Sequence, residues 1–252
     1  MKIPEETAHR PWPLPEGRPV MSMTWEDLLF AHWPVPAAAL RPLVPLPLEL
    51  DTFDGSTWLG IVPFRMTGVC LRGLPAIPGA SAFPELNVRT YVTAGRKPGV
   101  WFFSLDAASR IAVRAARAWF RLQYFDAWMN SQRNGEEVAY SSRRTHRGAP
   151  AAEFAARYRP TGEVFKSRPG SLEYFLTERY CLYAASSTSA GASRLCRGEI
   201  HHAPWPLQAA KAEITRNTMI EPLVLCLSAA PTLLHFARRL DVQAWPPRQV
   251  SD

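Results

Sequence analysis

Two dipeptides constrain this chain more than any other feature: Asp54-Gly55 and Asn134-Gly135, each set between short runs rich in apolar and aromatic residues. Such pairs supply the positive φ angles that a tight hairpin turn demands, and that turn joins antiparallel strands. Residues 48–53 and 56–62 flank the first pair. The second leads from 122–130 into 138–142. Further extended segments are predicted at 25–35, at 86–93 and 100–105 joined through 94–99, and at 151–158 and 163–166 around Pro160-Thr161-Gly162. Residues 179–185 and 193–202 flank a polar turn at 186–191, and 209–215 continues the pattern. Residues 233–240 fit a helix or a strand. Residues 63–84, rich in proline and glycine, read as a long loop of the kind that covers a site.

Helical signals are few. Residues 36–41 form a short turn bounded by prolines. Residues 107–119 place Ile111, Ala115, Ala118 and Trp119 on one face and Arg110, Arg114, Arg117 and Arg121 on the other. Residues 171–177 open on Ser171 as N-cap, with Glu173 in the first turn. No βαβ rhythm, internal repeat or linker interrupts the hairpins. The expected fold is mainly β (α+β), one domain over residues 22–252 with a closed or nearly closed sheet, preceded by a Pro-rich arm at 1–21 that is extended or disordered.

Composition narrows the function classes. No window holds the ~18 uninterrupted apolar residues of a membrane helix, and the N-terminal residues lack the apolar core of a secretion signal. The four cysteines, Cys70, Cys181, Cys196 and Cys226, form no C-x-x-C and read as reduced thiols of a cytoplasmic protein. The net charge of +7 is almost all arginine, since lysine occurs only at positions 2, 97, 166 and 211. That bias reads as a genome composition effect, and the basic stretches as a solvated helix face and a loop, so no nucleic-acid partner is expected. Phosphate-binding glycine loops and the G-x-S-x-G nucleophile elbow are missing. His201 and His202 would point to opposite faces of a strand. Glu199 and His201 would share one, but two ligands are too few for a zinc site. Neither a metal nor a cofactor is expected.

Three stretches could carry chemistry. In residues 83–92, alternation puts Glu85, Asn87, Arg89 and Tyr91 on one face and Leu86, Val88, Thr90 and Val92 on the other. That polar face either lines the interior of a closed sheet or lies in water. Residues 119–129 hold Arg121 and Tyr124 among aromatics. Residues 172–183 and 198–207 bring Arg179, Tyr180 and His202. Arg, Glu, Tyr and His embedded among aromatic residues form either a buried polar network or a ligand site, because buried charges need partners.

Several of these segments, in one order, resemble a known family: Met23-Thr-Trp-Glu-Asp-Leu-Leu-Phe-Ala-His-Trp33, the Asp54-Gly55 turn with Val62-Pro-Phe64, Glu85-Leu-Asn-Val-Arg-Thr-Tyr-Val92, Phe175-Leu-Thr-Glu-Arg-Tyr180 and His201-His-Ala-Pro-Trp-Pro-Leu207. They look like the uncharacterised YqjF-like family, similar in fold to acetoacetate decarboxylase, over roughly residues 20–245. The resemblance implies a single acetoacetate decarboxylase-like β-barrel domain with a central cavity. It also implies a comparison with that enzyme's lysine pair, one member of which forms a Schiff base while its neighbour depresses its pKa. Tyr124 and Phe125 stand where the lysines would be, and a phenol forms no imine, so Schiff-base decarboxylation is not expected. Glu85 matches the superfamily's glutamate. Glu85 and Tyr124 are therefore the candidates for acid–base work, and Asn87, Arg89, Arg121, Arg179 and His202 for ligand binding.

Two functional readings stand at this point. One is a protein that binds a small organic anion, such as a carboxylate, without catalysis. The other is an enzyme acting on a keto acid by acid–base chemistry, as an isomerase, hydratase or lyase. A filled core with no pocket is the structural alternative, and a homo-oligomer is left open.

Overall fold

The computed structural model describes residues 6–74, 81–187, 193–228 and 230–250. Its strands are β1 (Met21–Val35), β2 (Glu49–Leu50), β3 (Thr57–Leu71), β4 (Phe83–Ala94), β5 (Lys97–Ala107), β6 (Tyr124–Asn134) and β7 (Glu137–Arg144). They continue with β8 (Glu153–Pro160), β9 (Cys181–Ser187), β10 (Ser193–His202), β11 (Leu207–Asn217), β12 (Leu233–Ala244) and β13 (Arg248–Gln249). The short helices are α1 (Ala37–Leu40), α2 (Arg110–Trp119) and α3 (Leu172–Thr177).

All strands belong to one sheet, ordered β13-β10-β9-β5-β6-β7-β8-β11-β12-β1-β3-β4-β2, and the extra pairings β10–β12 and β5–β4 close it into a ring. Closure depends on two strands that serve two neighbours on one edge. β5 lies parallel to β9 at Val100 and Trp101 and parallel to β6 from Leu105 to Ala107. β12 pairs with β11 near Phe236 and with β10 near Val242. A ring removes most unpaired sheet edge.

The strands bury both faces. Leu29, Ala31 and Trp33 of β1, Leu86 and Val88 of β4 and Phe154 of β8 belong to one core. Leu28 and Phe30 of β1, Val62 and Phe64 of β3 and Leu240 of β12 belong to a second, and it is this second core that opens into a cavity.

The turns follow their residues. Asp54 (φ 47°) and Gly55 (φ 75°) make the tight turn, with Phe53 and Ser56 exchanging both backbone hydrogen bonds. The expected hairpin ends there. β2 pairs with β4, and β3 pairs with β1 and β4, because the long apolar strands offer more buried pairing than a local ladder. Asn134 pairs with Glu137, so Gly135 (φ 60°) and Glu136 form the second turn. Gly95 and Arg96 form a third between β4 and β5.

The long loop expected at 63–84 is corrected: β3 runs to Leu71 and β4 starts at Phe83, while residues 75–80 lie outside the described residues. Pro63 is tolerated because it faces the irregular stretch of the β1–β3 ladder between Glu26 and Ala31, where a missing N–H costs little. Residues 163–166 form no strand beyond a bridge from Phe165 to Leu207, and β8 pairs with β7 and β11 instead. Residues 233–240 are strand. The turn expected at 186–191 falls largely outside the described residues.

Residues 6–20 lie against β10 and the end of β12. A His9 ring nitrogen donates to the His202 carbonyl (2.8 Å), Arg10 to that of Ile200 (2.7 Å), and the Trp12 indole to Glu199 (2.9 Å). The Val20 amide donates to Ala244 (2.8 Å) and the Trp245 indole to Gly17 (3.1 Å). All four cysteines are unpaired. Among the described residues no helix is long and apolar enough to cross a membrane.

Candidate functional site

β4 delivers the polar side of the site. Its register with β3 is unbroken from Gly60↔Arg89 to Phe64↔Glu85, so Glu85, Asn87 and Arg89 project to one side while Leu86 and Val88 enter the opposite core. The three reach a cavity of about 250 Å³ whose other walls are mostly apolar, with Tyr124, Thr177, Arg179, Glu199 and His202 as their polar members. The volume lies near the lower end of small-molecule pockets, roughly 300–1,000 Å³.

Bulges let the other strands wrap this cavity. Around Asp27 (φ 53°), β1 changes which face looks inward: Met21, Met23 and Trp25 line the cavity before it, Leu28 and Phe30 after it. Gly68 (φ 60°) does the same in β3, between Phe64 and Met66 on one side and Val69 and Leu71 on the other. In β5 one extra residue opposite Val88 and Arg89 lets Val100, Phe102 and then Leu105 face inward. An inserted residue shifts the two-residue period and bends the strand. α2 covers one end through Ile111, Ala112, Ala115, Ala116 and Trp119, of which Ile111 is 61% and Trp119 45% exposed, so this end meets solvent.

Glu85 and Tyr124 form a buried pair. The phenol donates to Glu85 Oε2 at 2.9 Å. Burial pushes the Glu85 carboxyl up to about 8, the phenol's hydrogen bond opposes that rise and the nearby Asp106 charge adds to it. Burial, then the Glu85 charge, raises the Tyr124 phenol well above its ordinary range. At neutral pH both groups are therefore mostly protonated. Behind them Asp106 is held by Arg144 at 2.7 Å, fully inside the protein.

The two arginines differ. Arg179 pairs with Asp51 (2.6 Å), donates to the Phe175 carbonyl (2.5 Å) and stacks on the Phe175 ring at 4.2 Å. Arg89 donates to the Leu176 carbonyl (3.2 Å) and lies over Phe30 and Tyr91, but no described carboxylate approaches within ion-pair distance. Its Nε, like Asn87 Oδ1, is buried without a hydrogen-bond partner. A guanidinium facing an apolar cavity without a counter-charge is costly unless a ligand supplies one. His202 stacks on Tyr180 at 4.6 Å and donates from Nδ1 to the Ala203 carbonyl (2.8 Å). Burial pushes it down to about 4, so it is neutral.

Of the residues singled out in the sequence, Glu85, Tyr124, Asn87, Arg89, Arg179 and His202 line this one cavity. Arg121 does not: it is exposed just beyond α2 in the left-handed region (φ 54°), where the chain turns from helix into β6. Tyr91, on the same face of β4, lies beyond the cavity and is sealed against His32 (2.6 Å). His201 faces away from His202, towards His9, as strand alternation requires. Two indoles that the sequence did not single out, Trp25 and Trp205, stack at 5.8 Å in the wall, each with a buried unpartnered Nε1. Trp205 between two prolines was the available signal. Trp25 was legible only as an apolar strand residue. None of the described lysines lines the cavity, and Lys97 is engaged by Glu199 at 3.1 Å. No group of three His, Cys, Asp or Glu side chains among the described residues is placed to hold a metal ion.

The fold is that of the acetoacetate decarboxylase-like proteins. The enduracididine biosynthesis enzyme MppR, solved in complex with pyruvate, superposes with a TM-score of 0.65 at 12% identity, covering 94% of this chain and 92% of that one. The acetoacetate decarboxylase of Legionella pneumophila gives 0.63 at 11% identity, covering 97% and 94%. Within that fold the chain belongs to the DUF2071 family of uncharacterised conserved proteins, whose model matches residues 22–241. It is 48% identical over 238 residues to the uncharacterised protein YqjF of Bacillus subtilis strain 168, covering 94% of this chain and 96% of that protein.

Proposed function

We propose that the cavity binds a small organic carboxylate, and that it does so without Schiff-base chemistry. The observation that carries this reading is Arg89: a guanidinium on the cavity wall with a buried, unpartnered Nε and no described carboxylate paired to it. A carboxylate would supply the missing charge and accept from the guanidinium. Asn87, whose Oδ1 lacks a donor, would take a hydroxyl or N–H of the same ligand. The neighbour solved with pyruvate, a keto acid, is in keeping with this class of ligand. A Schiff base needs an amine, and no described lysine reaches the cavity.

The test is a thermal-shift screen of keto, hydroxy and aromatic acids against the wild type and Arg89→Gln. A ligand at about 100 times its Kd stabilises by ~2.7 kcal/mol, a rise of several degrees in a domain this large. A shift that disappears in a folded Arg89→Gln protein supports the reading. An equal shift in both proteins removes it.

A second reading is favoured by the Glu85–Tyr124 pair. A carboxyl poised near 8 beside a phenol can give or take a proton at neutral pH. Acid–base turnover of a bound carbonyl compound follows from that chemistry. Incubating any screening hit with the protein and following its consumption separates turnover from binding, and Glu85→Gln abolishes turnover while leaving the Arg89-dependent shift.

A further inference from the structure

Arg89 and Glu85 are four residues apart on one continuous strand, which sets their Cα atoms about 13 Å apart. The Arg89 side chain does not close that gap. It is drawn the other way, towards α3 and the Tyr91 ring, by its bond to the Leu176 carbonyl and its position 5.7 Å over Tyr91. Glu85 is tied to Tyr124 at the start of β6, on the side of the cavity that α2 covers. The polar groups thus form a row along β4: a cationic end at Arg89, an amide at Asn87 midway, and the Glu85–Tyr124 pair at the far end. Apart from Arg179, Glu199 and His202, most of the lining beyond that row is apolar, with Met21, Met23 and Met66 among aromatic side chains. Methionines are deformable and accept varied apolar shapes. At the end covered by α2 the apolar lining continues to the surface, where Ile111 and Trp119 are left in solvent.

We propose that the ligand is an elongated carboxylic acid, its carboxylate at Arg89 and an alkyl or aryl skeleton of roughly six or more carbons running along β4 past Asn87 to the Glu85–Tyr124 pair and the opening beneath α2. This rests on the carboxylate reading above and adds the ligand's length and apolar character. A three- or four-carbon keto acid reaches one end of the row and leaves the other bare. A longer acid fills the wall, and its functional group, if it has one, meets Glu85 and Tyr124 far from the carboxylate. The exposed Ile111 and Trp119 then form the rim past which the apolar end enters.

The experiment is calorimetric titration of the full chain with butanoate, hexanoate, octanoate and 4-phenylbutanoate, and with octylamine as a control of equal chain length and opposite charge. Wild type, Arg89→Gln and Ala115→Trp are compared, with melting curves to confirm that each is folded. Ala115 is exposed on α2 and lines the opening, so a bulky side chain there narrows the cavity without entering the core. Kd is expected to fall by about fourfold per added methylene, the ratio that ~0.8 kcal/mol per buried CH₂ gives. Arg89→Gln should weaken all the acids by a common factor, Ala115→Trp should weaken octanoate and 4-phenylbutanoate while sparing butanoate, and octylamine should not bind. Acids that all bind alike, with Arg89 dependence, would overturn the length inference and leave the carboxylate reading standing. If no acid binds, if Arg89→Gln changes nothing, or if octylamine binds as octanoate does, both fall.

Discussion

Burial, with the Asp106 charge adding to it, makes Glu85 an unusually weak acid, and the consequence is measurable in stability as well as in chemistry. Its carboxyl titrates near 4.5 when exposed and about 8 when folded. Between those values the folded chain keeps a proton that the unfolded chain has lost. The contribution is therefore complete at the acid end of the window and gone at its alkaline end. Unfolding free energy should decline across the window with a slope approaching ~1.4 kcal/mol per pH unit, and Glu85→Gln should flatten it; denaturant melts at closely spaced pH values provide the measurement. Tyr124→Phe removes the hydrogen bond that opposes the rise, so the decline should extend to higher pH in that variant. Gly60 of β3 lies between His32 of β1 and Arg89 of β4: a Cβ there would stand 3.0 Å from His32 Nε2, too close, and 3.4 Å from Arg89 Cγ, an ordinary contact. Gly60→Ala should displace the buried His32 ring, which is bonded to the Tyr91 hydroxyl, and lower the melting temperature of the free protein, as paired thermal melts would show. At this scale the sequence was informative, since strand alternation alone aligned Glu85, Asn87 and Arg89. It could not separate Arg179, neutralised by Asp51, from Arg89, because that difference depends on a residue 128 positions away in the chain.

The strands owe their curvature to bulges that local patterning hides. Counting by twos from Met21 through Trp25 would place Leu28 and Phe30 in the wrong core, because the period resets at Asp27. Asp27 tolerates its left-handed backbone and is anchored there by Arg238 at 2.6 Å, while the Tyr158 hydroxyl donates to its carbonyl at 2.8 Å. Gly68 does the same in β3. No neighbour lies within 4 Å of where a Cβ would stand, so backbone strain alone decides what this position accepts. Gly68→Val should cost about 1–3 kcal/mol, as a β-branched residue forced into that region does, and Gly68→Asn markedly less. Paired thermal melts read this as a difference of several degrees. The bulges are also why residues 63–71 of the expected loop are strand: Pro63 and Gly68, which normally argue against a strand, sit at the irregularities of the β1–β3 ladder. The short helix at Ser171 was legible because its cap is local, the Ser171 hydroxyl accepting from the Tyr174 amide at 3.2 Å.

The ring is held by contacts between distant parts of the chain, and the N-terminal arm is one of them. Arg10 is buried, donates to Ile200 and lies 4.8 Å over the Tyr180 ring, which in turn stacks on His202 at the cavity wall. Arg10→Ala removes a charged hydrogen bond and should lower stability by about 1.5–3 kcal/mol, seen as a lower denaturation midpoint with an unchanged slope. The sequence by itself determined that the chain is mostly strand, which residues alternate on β4, and where its tightest turns fall, because turn chemistry and the two-residue period act within a few positions. It also carried the family resemblance, since that rests on motifs in order. The tertiary structure alone decided that the sheet closes, that β5 and β12 each serve two neighbours, that three bulges turn both halves of their strands inward, and that Arg89 keeps no counter-charge among the described residues. Each of these depends on which distant residues meet, and burial, pairing and the pKa of a carboxyl are properties of that meeting rather than of any local stretch.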